Sequence, residues 1–341
     1  MGSRLNRSTK IWTLARDLGL KVKDNDPALA IRQHCEKRVV GIIHDFSGCK
    51  TLSDLIEMVR GTLETKFEVV RNNKELCQVR DRYLQKGESG FVNLEAELSG
   101  EVFGITFQRR KREAWEPRFV SVIDCRGEKA PREYFTKWHE VAHLLCLTDQ
   151  LRLSFRRTHS DRNSKDPEES MMDVIAGHLG FLPSLVGPHI DGEISFEAID
   201  SLKERLCPEA SRESAVAGFV QAWPTAVILV RAELALREEE LRRAQQIGFG
   251  FVDRPAPVLR AVTVIANGEA RRAGFRIHPR MRVPERSILH ALFHGHRKTG
   301  EADENLDWWE SSDGTRLASI PIRVRARRAW RTVEGLIAPV T

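Results

Sequence analysis

His139-Glu140-Val141-Ala142-His143 is the stretch of this chain whose residue types and spacing can do chemistry. Two histidines four apart leave an α-helix on the same side, about one turn from each other, so both imidazoles can reach one cation. Zinc takes nitrogen, sulfur or carboxylate ligands, and a catalytic zinc keeps its fourth position open for water. Glu140 follows the first histidine by one residue, about 100° round the helix. There it can flank the metal without ligating it, as a general base acting on water must. The chemistry implied is metal-assisted hydrolysis, most simply of a peptide bond.

The surrounding residues predict the helix that such a site needs. Pro131 suits a first helical turn after the loop that carries Gly127. Trp138, Val141, Ala142 and Leu145 recur at i, i+3, i+4 and i+7 and form an apolar stripe. By helical-wheel arithmetic His139 and His143 fall at the edge of that buried face, where a half-buried metal is expected. After a polar stretch, 156–168, a second helical pattern puts Glu169, Asp173, Ala176 and Gly180 on one face and Met172, Ile175 and Leu179 on another. The small residues of the carboxylate face allow close approach to another helix. Glu169 is therefore the candidate third ligand, with Glu168 the competitor if the register is off by one.

The run 135–145, Phe-Thr-Lys-Trp-His-Glu-Val-Ala-His-Leu-Leu, followed by Glu169-x-x-Met172-Asp173-x-Ile175-Ala176-Gly177, resembles the ImmA/IrrE family of bacterial metallopeptidases. That family shows F-T-x-x-H-E-[L/V]-[A/G]-H-x-L and then E-x-x-A-[N/D]-x-F-A; here Met172 and Ile175 stand where Ala and Phe are usual. The resemblance implies zinc ligands at His139, His143 and Glu169 and a general base at Glu140. Asp173 matches the small polar position after the ligand glutamate. It further implies a zincin-like fold and a protein substrate, typically a helix-turn-helix repressor cut in a stress or phage-related response. Zn²⁺ is the expected metal, and Mn²⁺ or Fe²⁺ also suit two histidines and a glutamate. Hydrolysis also needs an electrophile for the oxyanion, and His159, between the two ligand helices, is the candidate. His178 falls on the opposite side of its helix from Glu169 and reads as structural.

The whole chain sets the frame. Its 341 residues are enough for two or three domains, and its 41% hydrophobic and 30% charged composition is that of a globular protein. No uninterrupted apolar run approaches the ~18 residues needed to span a bilayer, and the basic residues 1–10 lead into no apolar signal core. Six scattered cysteines without a C-x-x-C pair read as reduced thiols of a cytoplasmic protein, with Cys146 packed as a small buried residue rather than a ligand.

Element patterns predict an α+β protein. Helices are expected at 26–40 and 51–63, and strands at 67–70, 102–108 and 119–125. This zincin-like metallopeptidase domain spans 1–187, with Gly187-Pro188 as its boundary. Two short amphipathic helices, 195–206 and 211–223, follow in a helical segment 188–246; they suit either a helix-turn-helix unit or packing against the peptidase core. Residues 227–230 suit a strand and 231–246 a helix. In 247–341 strands are expected at 258–265, 274–278 and 317–327 and a helix at 287–293, in an order that resembles the GAF-like sensor domain of radiation-response members. Such domains take a small ligand or a dimer contact.

Two rival readings stand, the first of them suggested by charge. Residues 251–341 hold 16 Lys+Arg against 10 Asp+Glu, a surplus equal to the +6 of the whole chain. Arg323, Arg325 and Arg327 alternate with Ile322, Val324 and Ala326, the pattern of a strand whose basic face is an edge or solvent device. One rival is therefore a DNA-binding or protein-binding regulator with a structural metal, although no basic recognition helix supports direct nucleic-acid contact. The other is an anti-phage or toxin-type protease with a non-repressor target. The acidic stretch 301–313, with Trp308 and Trp309, reads as a solvated loop with an aromatic anchor. His290, His294 and His296 read as helix C-terminal histidines favoured by the dipole.

Overall fold

The computed structural model describes residues 5–45, 48–98, 100, 102–146, 154–158 (backbone), 166–237, 239–240, 242, 256–310, 314 and 316–340. It is a mixed α and β protein with two sheets, of four and five strands. The chain divides into two compact units: Met1–Val186 with Leu202–Gly218, and Gly187–Ser201 with Phe219–Thr341.

The first unit begins with three helices, α1 (Thr9–Asp17), α2 (Pro27–Asp45) and α3 (Leu52–Thr62). The α2 start is built by Asp26, whose carboxylate accepts from the Leu29 amide at 2.8 Å, and by Pro27 in the first turn. Thr51 and Asp54 close a reciprocal capping box at α3, an arrangement worth about 1 kcal/mol. The sheet follows: β1 (Thr65–Val70), β2 (Val102–Gln108), β3 (Phe119–Asp124) and β4 (Ser154–Thr158), in the order β1-β3-β2-β4. β1 runs parallel to β3 across the crossover helix α4 (Asn73–Gln85), while β2 is antiparallel to both neighbours. β4 is drawn from the polar stretch between the two ligand helices, where the sequence pattern indicated no strand.

β2 and β3 are buried along nearly their whole length, because helices cover both faces of the sheet. On one face Ile105, Phe107, Val120 and Val122 pack with Leu76, Val79 and Tyr83 of α4 and with Phe91. Tyr83 and Phe91 stack at 4.4 Å between ring centroids. The alternate positions, Gly104, Thr106 and Ser121, turn to the other face, against α5 (Glu133–Leu145). Pro131 lies in the 3₁₀ turn Gly127–Arg132 that leads into α5.

Residues 167–189 have the length and composition of a membrane crossing, but half of that window is buried inside the protein. It also breaks into α6 (Pro167–Leu179) and a separate short turn, Pro183–Val186. This is a core helix. The segment Leu202–Gly218, which covers parts of α7 (Phe196–Leu206) and α8 (Arg212–Ala222), belongs to the first unit. Its Glu209 accepts from Ser53 at 2.8 Å.

The second unit is built on an antiparallel sheet, β5 (Ile228–Ala235), β6 (Val258–Ala266), β7 (Thr299–Asn305), β8 (Pro321–Ala329) and β9 (Thr332–Pro339), ordered β6-β5-β9-β8-β7. Its core gathers Val230, Phe275, Leu289, Leu292, Trp309 and Val324 under helix α9 (Ile288–His294). Four expectations are corrected here. The helix favoured from Arg231 onward is strand as far as Ala235, because pairing with β6 and β9 outweighs local helix propensity. Residues 274–278 form no strand; beyond them the Met281 carbonyl accepts from the Ala261 amide and the Val283 amide donates to the Leu259 carbonyl. The acidic stretch opens as β7 rather than as a loop, and Trp309 is its fully buried anchor.

The fourth correction concerns the arginine strand. β8 lies between β7 and β9 and is no edge. Its Arg323 meets Asp303 at 2.9 Å, Arg325 meets Glu301 at 3.1 Å, and Arg327 meets Glu334 at 2.8 Å. Glu193 also pairs with Arg323 and Arg325, and Arg231 bonds Glu334 at 2.7 Å. The basic stripe is one half of an intramolecular ion lattice.

Candidate metal centre

The site is assembled where α5 and α6 pack against each other. Their contact is close because Gly180, just past α6, lies under Trp138: a Cβ there would come within 3.0 Å of the indole. The Tyr134 hydroxyl donates to the Gly180 carbonyl, and Met172, Ile175 and Leu179 are fully buried. At the start of α6 Asp166 caps the helix by accepting from the Glu168 amide at 2.8 Å, with Pro167 behind it. Glu168 and Glu169 thus occupy the first turn, where the helix dipole favours carboxylates.

Three of the expected ligands converge. His139 Nε2 lies 3.2 Å from Glu169 Oε2 and 3.2 Å from His143 Nε2, and His143 Nε2 lies 3.4 Å from Glu169 Oε1. Donors bound tetrahedrally at 2.0–2.1 Å from a zinc ion stand about 3.3–3.4 Å apart. The three residues could therefore hold a metal ion, with one ligand atom from each lying within 4.8 Å of the others. They are the one such group of three among the described residues, and the group takes Glu169, not Glu168. Both histidines are buried, at 0% and 3% side-chain exposure, while Glu169 is 20% exposed. The sheet and α6 cover α5 from both sides, and the Glu169 carboxylate forms the accessible rim.

Asp173, one turn after Glu169, was legible as a matching polar position but had no assigned role. Its Oδ1 lies 2.8 Å from His139 Nδ1. An ionised carboxylate only accepts, so Nδ1 carries the hydrogen and Nε2 keeps its lone pair for the cation. His178 bonds Glu36 at 2.9 Å, as a structural residue should. Cys146 is buried with its sulfur 3.6 Å from that of Cys35, outside the ligand group. His159 lies outside the described residues.

Glu140 is completely buried on the sheet side of α5. Burial pushes its carboxyl pKa up, only partly offset by the imidazoles of His143 and His139 and by the Thr106 hydroxyl. Burial also opposes ionisation of Glu169, but the imidazoles of His139 and His143 beside it prevail and bring it down to about 2. Two carboxylates of one site are therefore driven apart, one towards holding a proton and one towards holding a cation.

Glu140 Oε2 accepts from Thr106 Oγ1 at 2.6 Å, while Oε1 has no hydrogen-bond partner among the described residues. Gly104 makes room for it: a Cβ there would stand 2.7 Å from Oε1 and 2.8 Å from the Thr136 methyl. Sequence reading missed Gly104, Thr106 and Ser121. The signal was present, as small or polar residues inside strands whose neighbours are all large and apolar. Replacing Gly104 with Ala should displace Glu140 and lower hydrolysis at least ~10-fold. Zinc binding should persist, because none of the three ligands is touched; rates and chelator competition on the purified variant check both.

No protein-family model and no curated protein sequence matches this chain.

Proposed function

We propose that this protein is a zinc-dependent endopeptidase of the ImmA/IrrE kind. The observation that carries the reading is the three-donor group beside a buried glutamate with one oxygen committed and the other without a partner among the described residues. A purely structural metal site has no use for such a base. His139, His143 and Glu169 would hold the ion, with Asp173 orienting His139. Bound there, Zn²⁺ supplies Lewis acidity towards water and the scissile carbonyl. Glu140 takes the proton of the attacking water on Oε1 and returns it to the leaving amine. Its raised proton affinity suits that double role better than the low pKa of an exposed carboxylate would.

The substrate proposed from the resemblance is a helix-turn-helix repressor in the cytoplasm, cut under stress or phage challenge. The antiparallel sheet of the second unit, with α9 packed against it, is compatible with a GAF-like regulatory domain taking a small ligand or a dimer contact. Direct nucleic-acid binding is disfavoured, since the arginines of β8 are held by carboxylates of their own unit.

Comparing newly formed protein termini in cells carrying the wild type with those carrying Glu140→Gln, after DNA damage and after phage infection, tests the reading. A single repressor cleaved only by the wild type is the expected result. Cleavage of a different target would redirect the substrate assignment towards an anti-phage or toxin-type protease. Identical termini in both strains would remove the peptidase reading.

A further inference from the structure

We propose that Thr106, backed by Ser121, is the positioning residue that aims Glu140 at the reacting centre. This rests on the peptidase reading and adds to it a device in the sheet, not in the ligand helices. Thr106 and Ser121 face each other as a cross-strand pair between β2 and β3. Both are buried, at 1% and 0% exposure. Their hydroxyl oxygens are 2.6 Å apart, and Thr106 Oγ1 is 2.6 Å from Glu140 Oε2.

Donor accounting gives the chain a direction. The Thr106 hydroxyl donates to Oε2 at 2.6 Å. A threonine hydroxyl has one hydrogen, so its contact with Ser121 is one in which Ser121 donates. The relay runs Ser121 to Thr106 to Glu140, each member polarising the next. Oε2 is thereby committed, and Oε1 is the oxygen left to accept a proton. Gly104 lies beside Oε1, where a Cβ would stand 2.7 Å from that oxygen. A hydroxyl on the sheet, two residues along the strand from the glycine, thus sets which oxygen works and where it points.

A structural role alone would make the two hydroxyls mere fillers of a polar gap, and the following comparison separates the two. Full-length protein is loaded with Zn²⁺, and acetohydroxamic acid is titrated in by calorimetry. That probe chelates the metal while giving a proton to a neighbouring base, so its affinity reads the aim of Glu140. Zinc affinity is measured in parallel by chelator competition, and folding by circular dichroism. Thr106→Val, which keeps the shape and removes the donor, should bind the probe ~10-fold more weakly with zinc affinity unchanged. Thr106→Ser should bind it within about threefold of wild type, because the hydroxyl is restored. Ser121→Ala should fall between the two, and it carries the test if Thr106→Val does not fold.

Wild-type probe affinity in Thr106→Val, or equal weakening in Thr106→Val and Thr106→Ser, overturns the proposal; so does wild-type affinity in Ser121→Ala when Thr106→Val does not fold. Glu140→Gln is the control for the underlying reading. If it binds the probe as well as wild type, Glu140 is not the base, and both fall together. If it loses the probe while Thr106→Val does not, the base stands and only the relay falls.

Discussion

Glu140→Gln should retain zinc at one ion per chain and lose at least ~10³-fold in hydrolysis of the natural target, within the range that a general base supplies. The substitution preserves shape. Thr106 can still donate to the amide oxygen that replaces Oε2, so the variant should fold normally. What disappears is the open oxygen with a raised proton affinity. Stability should not fall, and thermal unfolding should move upward if at all, because burial of the carboxylate opposes its charge. Metal analysis, single-turnover cleavage and a melting curve on the same preparation check the three parts. A rate within tenfold of wild type would remove Glu140 from the chemistry, and loss of zinc would make it a structural partner of the ligands.

Glu169→Ala should weaken zinc binding by more than ~100-fold, beyond the effect typical of residues that only support a ligand. It removes the one anionic donor of the group and leaves His139 and His143 facing each other at 3.2 Å. Asp173→Ala should give the graded result, a loss of about 10–100-fold, because His139 then lacks the carboxylate that holds its tautomer. Glu168→Ala should leave affinity unchanged. Competition with a chromophoric chelator orders the four proteins. If Glu168→Ala proved as damaging as Glu169→Ala, the assignment of the third ligand would fail.

The ligand helices were legible for a physical reason. His139, Glu140 and His143 share a helix, and helical geometry relates residues a turn apart without any knowledge of the rest of the protein. Glu169 was reachable by the same route, since its small-residue face announced a close helix contact, which Gly180 and Trp138 supply. The alternation of arginines with Ile322, Val324 and Ala326 was also read correctly as a two-faced strand. Its setting was not. Whether such a strand is an edge or a centre depends on which strands flank it, and β7 came from a stretch whose acidic composition argued for a loop. Arg231 failed in the same way, since its neighbours favour helix and only pairing with β6 and β9 makes it strand.

Local periodicity alone brings two histidines to one helix face, a glutamate beside them and a third carboxylate to a second helix. Tertiary structure decided which oxygen of Glu140 is held and which is open. It also made Asp173 the partner of His139 and turned a basic strand into half of an ion lattice. These depend on register between strands and on contacts between residues up to 34 positions apart at the metal centre. Spacing along the chain carries no record of such contacts until the backbone has folded.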